Sequence, residues 1–351
     1  MIVRAELAEG AVIQEDALRR EHGESVRVVR IALRELSAEG LLLRRPRVGT
    51  VVAGPVFGRQ QPRLRSVGIL SGLNRTTFDA LPFCAKVMRG IMAELAEPKQ
   101  VVYWLSDRGR GNSSISIAPK IDLSDLRNRV QGVIAIEASV PATLNEIASA
   151  GIPVVAIDYW NSAGLFDTSS VDHFEAGYQS TLHLLKYGHR AIAFAGENAK
   201  GTSTDPGWQE RLRGYFIAMA EAGLMKSSMS LLSLTSRSPD SLRTSICEFH
   251  RHNNPTAYVL ADHCLIEPCL KGLAEMGLAC PKDVSLTCAS SVLGKTEQGQ
   301  PISRLRFEYD ELGHAAVKLL AARLSHKNHP AVRAVLPVGF QEGETSRSLH
   351  T

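Results

Sequence analysis

From residue 66 onward, short apolar segments alternate with amphipathic segments, and this alternation restricts the fold more than any other feature of the chain. The apolar segments predict strands at 67–70, 101–105, 132–136, 153–157, 191–195, 257–260 and 284–288. The amphipathic segments predict helices that include 83–95, 143–150, 175–187, 209–222 and 266–276. Such alternation is typical of parallel sheets covered by helices on both faces. About 285 residues exceed one core, so we expect two lobes that bind a ligand beyond the carboxyl ends of their strands.

The first 65 residues carry the whole excess of positive charge. The chain has 351 residues and a net charge of +4, and this segment holds 12 Arg against 8 acidic residues, whereas the remainder is balanced. Residues 27–65 alone hold nine Arg against Glu35 and Glu39. A local charge of this size is typical of a surface that binds a polyanion. A solvated basic surface is the alternative.

Residues 25–38 predict a helix with an apolar stripe and a basic face. Ser25 suits the N-cap position, because its hydroxyl can accept from the next backbone N–H groups. The predicted apolar stripe consists of Val29, Ala32, Leu33 and Leu36. The opposite face carries Arg27, Arg30 and Arg34. A helix anchored by one stripe and presenting three arginines fits the major groove of DNA.

Two apolar segments, 41–43 and 50–52, predict a hairpin around a basic turn. Arg45 and Arg47 lie in this turn, and Gly49 and Thr50 lead into its second strand. A hairpin with a basic tip can reach phosphates or a minor groove. Residues 54–65 show no periodicity and are rich in Pro and Gly at their start, so they predict a linker.

The segment SVRVVRIALRELSAEGLLLRRPRVGTVVA (25–53) resembles the winged helix-turn-helix of GntR-type bacterial regulators. The corresponding segment of those proteins is similar to the pattern S-R-x-T-V-R-x-A-L-x-x-L-x-x-E-G-L-L. A wing that ends G-T-x-V follows it. The resemblance implies a DNA-binding domain over residues 1–53. Its candidate DNA contacts are Ser25, Arg27, Arg30, Arg34, Arg45, Arg47, Gly49 and Thr50. The family's Arg after the capping Ser is Val26 here, and we expect the first helix to be short or truncated, for which a mis-assigned start is one explanation.

Five blocks of the larger segment resemble the effector domain of the LacI/GalR family. They are GIPVVAID (151–158), KYGHRAIAFAG (186–196), ERLRGYFIAMAEAGL (210–224), AEMGLACPKDVSL (274–286) and ISRLRFEYDELGHAAVKLL (302–320). The resemblance implies two Rossmann-like lobes of the periplasmic-binding-protein-like type I fold over residues 66–346. It also implies lobe crossings near 170–172, near 300–304 and close to the C-terminus. The order of the two modules is similar to that of the arabinose-repressor group.

The same resemblance implies an effector site between the lobes. Its candidate residues are Ser71, Asn74, Phe83, Asp158, Tyr159, Trp208, Arg211, Asp262 and Ser290. Arg211 matches the family's effector-binding arginine, and its planar fork of donors suits paired hydroxyls or a carboxylate. Ser290 replaces a family aspartate, so the effector of the known sugar binders does not transfer directly. The alternatives are a surface role for Arg211, a turn at Asp158, a helix-core role for Phe83 and an N-cap role for Asp262.

The sequence favours a regulator over an enzyme. It contains no Gly-x-Ser-x-Gly, phosphate loop or Rossmann glycine fingerprint, and we expect no cofactor. His250-x-His252 and His263-Cys264 lack further ligands at a credible spacing for a metal. The six Cys show no Cys-x-x-Cys spacing, which favours reduced, mostly buried thiols. No apolar run approaches the length of a bilayer span and the N-terminus lacks a secretory pattern, so we expect a cytoplasmic protein without a membrane partner.

These observations predict a ligand-responsive, sequence-specific DNA-binding transcription regulator, a repressor of carbohydrate genes. Its expected partners are a double-stranded DNA operator, a sugar or sugar derivative as effector, and a second copy of the chain in a homodimer. One alternative is a small-molecule binding protein whose DNA-binding module is degenerate. The other is a sugar-processing enzyme.

Overall fold

The computed structural model describes residues 11–38, 42–45, 48–52, 64–95, 101–106, 122–136, 141–159, 164–197, 206–224, 229–234, 238–291, 294–325 and 330–349. The chain forms two compact units. Unit 1 comprises Met1–Val171 and Glu308–Pro337, and unit 2 comprises Asp172–Phe307 and Val338–Thr351. The chain therefore passes between the units three times. The predicted linker lies almost wholly outside the described residues.

In chain order, the strands are β1 (Val12–Ile13), β2 (Leu42–Arg45), β3 (Gly49–Val52), β4 (Ser66–Ser71), β5 (Val101–Ser106), β6 (Gly132–Ile136), β7 (Val154–Ile157), β8 (Asp167–Val171), β9 (Ile192–Glu197), β10 (Met229–Leu234), β11 (Ala257–Leu260), β12 (Ser285–Cys288), β13 (Arg304–Arg306), β14 (Arg333–Leu336) and β15 (Gly339–Gln341). The helices are α1 (Glu15–His22), α2 (Val26–Ala38), α3 (Arg75–Ala80), α4 (Pro82–Glu94), α5 (Leu123–Arg129), α6 (Pro141–Ser149), α7 (His173–Lys186), α8 (Pro206–Glu221), α9 (Pro239–Asn253), α10 (Ile266–Glu275) and α11 (Asp310–Ser325). A single 3₁₀ turn is described at His263–Leu265.

Unit 1 contains a nine-stranded sheet in the order β1-β3-β2-β14-β8-β7-β6-β4-β5. The strands from β14 to β5 run parallel, as the alternating pattern predicts. Their residues form continuous apolar runs in β6 and β7 because both faces of the sheet are buried. Strand β8 was not predicted, because its sequence Asp-Thr-Ser-Ser-Val is polar although every residue is buried.

The N-terminal module of unit 1 consists of α1, α2 and the small antiparallel sheet β1-β3-β2. Val29, Leu33, Leu42 and Val52 form its core. Strand β2 also pairs antiparallel with β14, with Arg44 opposite Arg333, so the sheet of the module continues into the parallel sheet. The hairpin predicted at 41–52 is therefore present, and its β2 edge is covered by β14.

Unit 2 contains a six-stranded sheet in the order β10-β9-β11-β12-β13-β15. Strands β10, β9, β11 and β12 are parallel, whereas β15 pairs antiparallel with β13. The core contains Phe194, Tyr215 and Tyr258 at its centre. The fold class predicted from the sequence is confirmed: two α/β units with parallel sheets follow a small helix-turn-helix module.

Candidate functional site

Helix α2 is anchored to the N-terminal module by two residues of its predicted apolar stripe. Val29 and Leu33 are buried, and Leu36 packs against the same core. Ala32 was predicted to face inward, and this prediction is wrong because Ala32 is exposed. At about 100° per residue, position 32 lies only about 40° from position 28 and therefore on the outer side of the helix.

The N-terminus of α2 is capped as the sequence predicts. The backbone N–H of Val28 donates to the Ser25 hydroxyl at 3.3 Å, and Ser25 is exposed. This bond satisfies one of the donors that a helix leaves free at its start. The capped end places the first turn of α2 at the surface of the module.

The three arginines of α2 flank its outer face instead of forming its centre. Arg27, Arg30 and Arg34 are each only partly exposed. The Nε atom of Arg30 donates to Oε2 of Glu15 on α1 at 3.0 Å, in a pair whose side chains are about one third exposed. This pair joins the two helices and holds the Arg30 guanidinium beside α1.

The hairpin provides the remaining candidate DNA contacts. Arg45 ends β2, and Arg47 lies outside the described residues. Gly49 is the first residue of β3 and has a φ of 102°, a conformation that favours glycine. No atom lies within 4 Å of the position that a Cβ would occupy there. Thr50 is buried, and a DNA contact by this residue remains a prediction.

In unit 2, Arg211 is positioned by the close packing of α7 against α8. Gly177 of α7 faces the backbone carbonyl of Arg211, and Gly214 of α8 faces the carbonyl of Phe174. A Cβ at either glycine would overlap the opposing backbone, so only glycine permits this approach. Arg211 lies in the second turn of α8, and its backbone packs directly against α7.

The Arg211 guanidinium lies beside Asp262, directly after β11. Its Nη1 donates to the Ala261 carbonyl at 2.7 Å and lies 3.6 Å from Oδ2 of Asp262. The Arg211 side chain is 8% exposed and that of Asp262 is 21% exposed. Oδ1 of Asp262 accepts from the backbone N–H of Cys264 at 3.1 Å, which caps the 3₁₀ turn. The N-cap role considered for Asp262 is therefore present, together with the contact to Arg211.

His263 was not predicted as a ligand-site residue, yet its Nδ1 lies 2.8 Å from Oδ1 of Asp262. Burial alone would raise the pKa of Asp262, but the close contact of His263, the charge of Arg211 and the Cys264 N–H outweigh it and hold that pKa well below its ordinary value. Asp262 is thus an anionic acceptor beside a cationic fork of donors. Such a pair can bind neighbouring hydroxyl groups of a sugar.

The other two candidates in unit 2 are buried. Ser290 follows β12, which is parallel to β11, so it belongs to the same sheet edge as Asp262. Trp208 packs in the core with Phe194 and Tyr215, which favours a packing role. A ligand contact by Trp208 remains a prediction.

Four of the five candidates in unit 1 lie at or just after the carboxyl ends of β4 and β7. Ser71 is buried and its hydroxyl accepts from the Leu73 N–H at 3.1 Å. Asn74 caps α3 by accepting from the Thr77 N–H at 2.9 Å. Both side chains thus have local structural partners, although Asn74 is exposed.

Asp158 and Tyr159 follow β7. Asp158 is exposed and adopts a φ of 53°. Residues other than glycine rarely adopt this left-handed backbone conformation outside a functional or turn position. Tyr159 lies 6.0 Å from the Phe166 ring, and burial raises its pKa. Phe83, at the start of α4, is half-buried and meets Tyr309 edge-on at 5.1 Å, and both its ligand role and its helix-core alternative remain predictions.

Within the described ranges, no three His, Cys, Asp or Glu residues are grouped so that they could hold a metal ion. In the same part of the chain, no helix has both the length and the hydropathy needed to cross a bilayer.

Two protein families match this chain. Residues 1–52 match the bacterial regulatory proteins of the gntR family, and residues 181–346 match the periplasmic binding protein-like domain. Both resemblances inferred from the sequence are confirmed by these matches. Residues 1–52 are thus similar to a gntR-type helix-turn-helix, and residues 181–346 are similar to a periplasmic binding protein-like domain.

Curated relatives and solved structures agree with these matches. The HTH-type transcriptional repressor PurR of Glaesserella parasuis is 24% identical over 217 residues, which cover 60% of this chain and 62% of the relative. PurR of Escherichia coli O1:K1 is 28% identical over 57% of this chain. A cellobiose complex of the transcriptional regulator CelR has a TM-score of 0.62 and 21% identity, and covers 92% of this chain and 90% of its own. A ribose-bound LacI family regulator from Enterococcus faecium has a TM-score of 0.61 and 23% identity. This match covers 81% of the present chain and 99% of the regulator. The chain spans about 60% of the length of the curated relatives it matches.

Proposed function

We propose that this chain is a ligand-responsive, sequence-specific DNA-binding regulator of transcription that acts as a repressor of carbohydrate genes in the cytoplasm. The observation that carries the proposal is the Arg211–Asp262 pair at the carboxyl end of a parallel sheet, in a chain that also carries a gntR-type helix-turn-helix. The pair offers donors and an acceptor to a sugar, and the helix-turn-helix offers a surface for an operator. Curated relatives that are repressors, and not enzymes, support this proposal.

DNA binding is proposed for the capped end of α2 and the basic hairpin. The nine Arg of residues 27–65 supply the positive charge that attracts phosphates. Ser25, Arg27, Arg30 and Arg34 belong to α2 or its cap, so one helix carries half of the proposed contacts. A contact of Arg30 with DNA requires its guanidinium to leave Glu15, its partner on α1.

Coupling between the two activities is proposed to pass through β14. Strand β14 pairs with β2 of the helix-turn-helix module, and it belongs to the segment Glu308–Pro337 that lies between two segments of unit 2 along the chain. A sugar that binds one state of the protein more tightly than another shifts the population toward that state. A shift in β14 would then be transmitted to the hairpin by main-chain hydrogen bonds.

A homodimer is part of the proposal, because one winged helix covers only part of an operator and specificity on a genome normally needs two. Helices α4 and α11 pack together in unit 1, and Leu81 and Met92 beside or within α4 are exposed large apolar residues. We expect these helices to contribute to the interface. Sedimentation velocity should show a dimer at micromolar concentration, and a monomer at that concentration would contradict this part of the proposal.

The test of the proposed function is a gel-shift assay with DNA fragments that flank the gene of this protein, repeated with D-ribose, D-glucose and cellobiose. These sugars are chosen because ribose, cellobiose and glucose are each bound in a solved structure of similar fold. We expect one fragment to be retained in preference to an unrelated duplex, and a sugar to change its retention. Sugar binding without preference for any fragment would favour a binding protein with a degenerate DNA-binding module.

A further inference from the structure

The outer face of α2 is apolar at its N-terminal half. Val28 is 45% exposed, and Ala32, one turn later, is also exposed. Neither belongs to the core of the module, which takes Val29 and Leu33 from the same helix. Positions 28 and 32 are about 40° apart around the helix and about 6 Å apart along it, so they form one continuous strip.

Positive charge surrounds this strip, but no arginine occupies it. Arg27 and Arg34 lie on the flank of the helix and are half-buried. Glu35 is the next exposed residue of the same face, toward the C-terminal end. A carboxylate there would be repelled by phosphates, so only the N-terminal half of the face suits close contact with DNA. The basic segment 27–65 identifies that partner as a polyanion and not as an apolar protein surface.

Within the major groove, one base pair offers an apolar partner that matches this strip. The 5-methyl group of thymine projects into the groove, whereas the other base edges present hydrogen-bond donors and acceptors. Val28 has no polar atom in its side chain, so it can distinguish thymine only by contact with this methyl group. The arginines beside it supply contacts to phosphates or guanines.

We infer that Val28, supported by Ala32, contacts the methyl group of a thymine and fixes a T·A pair at one position of each operator half-site. This inference rests on the proposed function, because it names a specificity determinant for the same DNA-binding helix. It differs from the contacts expected of the arginines, since it depends on a methyl group and not on charge.

The experiment uses the full-length protein and the consensus duplex recovered by selection from a random-sequence pool. Each thymine of one half-site is replaced in turn by deoxyuridine, which removes only the methyl group. Burial of one methyl contributes about a fourfold change in affinity, so one replacement should weaken wild-type binding by about that factor. The Val28→Ala variant should bind the thymine duplex about fourfold more weakly and should not respond to that replacement.

Val12→Ala is the matched control, because Val12 is 49% exposed in the same module but lies on β1 and not on α2. This control should keep the wild-type response to deoxyuridine. Val28→Ala should keep its circular-dichroism melting midpoint, since Val28 is on the surface and Ala favours a helix. Equal sensitivity of wild type and Val28→Ala to every replacement, or no sensitive thymine at all, would overturn the inference while leaving DNA binding intact. Failure to recover any consensus would instead overturn the proposed function.

Discussion

Replacement of Arg211 by methionine should separate the stabilising role of this residue from its ligand-binding role. Methionine keeps much of the length and apolar stem of the side chain but removes the guanidinium. The lost interactions include the 2.7 Å hydrogen bond to the Ala261 carbonyl and the 3.6 Å contact with Asp262. The Cys264 N–H continues to donate to Asp262, and His263 remains beside it, so the carboxylate is not left without a partner.

The expected loss of stability follows from these contacts. A hydrogen bond to a charged group contributes about 1.5–3 kcal/mol, and removal of one member of a buried ion pair costs about 3–5 kcal/mol. Because His263 remains and Asp262 is 21% exposed, we expect Arg211→Met to lower the free energy of unfolding by about 2–3 kcal/mol. Urea denaturation followed by circular dichroism measures this loss.

We also expect a loss of affinity for sugar in the folded protein, which a loss of stability alone would not produce. The folded variant should bind the preferred sugar of the panel at least tenfold more weakly in calorimetry, because one charge-assisted bond accounts for about 1.4 kcal/mol or more. Arg211→Lys retains the charge but not the planar fork, so it should remain folded and still lose affinity. DNA binding without sugar should stay near wild type, since α2 belongs to unit 1.

Arg213→Met is the matched control for this series. Arg213 lies two residues further along α8, its side chain is 67% exposed, and it pairs with Glu210 on the surface of the same helix. Its replacement should change stability by less than about 1 kcal/mol and leave sugar affinity unchanged. Wild-type sugar affinity in the folded Arg211 variants would refute the assignment of Arg211 as a ligand residue.

Three further predictions concern the framework around these sites. Gly177→Ala should destabilise unit 2 by about 1–3 kcal/mol and weaken sugar binding, because the added methyl would displace the Arg211 carbonyl; an unchanged urea midpoint would contradict this. Burial lowers the pKa of His189, so acidification below about pH 6.5 should reduce stability by at most about 1.4 kcal/mol per pH unit for this residue, and His189→Gln should flatten the slope of the urea midpoint against pH. Asp167→Ala should cost about 3–5 kcal/mol, since Asp167 pairs with Arg323 in a buried site and accepts from a backbone N–H; a loss below about 1 kcal/mol would show that Arg323 has a second adequate acceptor.

The strands that the sequence predicts are those whose burial is encoded locally. Strands β6 and β11 are buried along their whole length, so their apolar runs predict them directly. Strand β8 is equally buried but polar, because its side chains have partners far away in the chain: the Ser169 hydroxyl lies 3.4 Å from the Leu312 carbonyl, and Asp167 binds Arg323. Such partners become visible only once the chain is folded.

The candidate ligand site was predicted in part for the same reason. Arg211 and Asp262 were both predicted, but their contact joins residues 51 positions apart along the chain, and no local pattern shows it. His263 was considered only as a metal ligand, although its position beside Asp262 was a signal that it could bind that carboxylate. Ala32 was misplaced because alanine is small enough to occupy either face of a helix.

The most direct test of the central claim is fluorescence anisotropy of a labelled duplex from the flanking region, titrated with the full-length protein in the absence and presence of saturating sugar. A regulator of the proposed kind should prefer this duplex over an unrelated one by at least a factor of about 1,000 at physiological salt. One sugar of the panel should change its affinity for the duplex by about 5–150-fold, the range of coupling between two sites. A protein that binds the sugar but shows the same affinity for the duplex with and without it would contradict the claim that the two modules act as one ligand-responsive regulator.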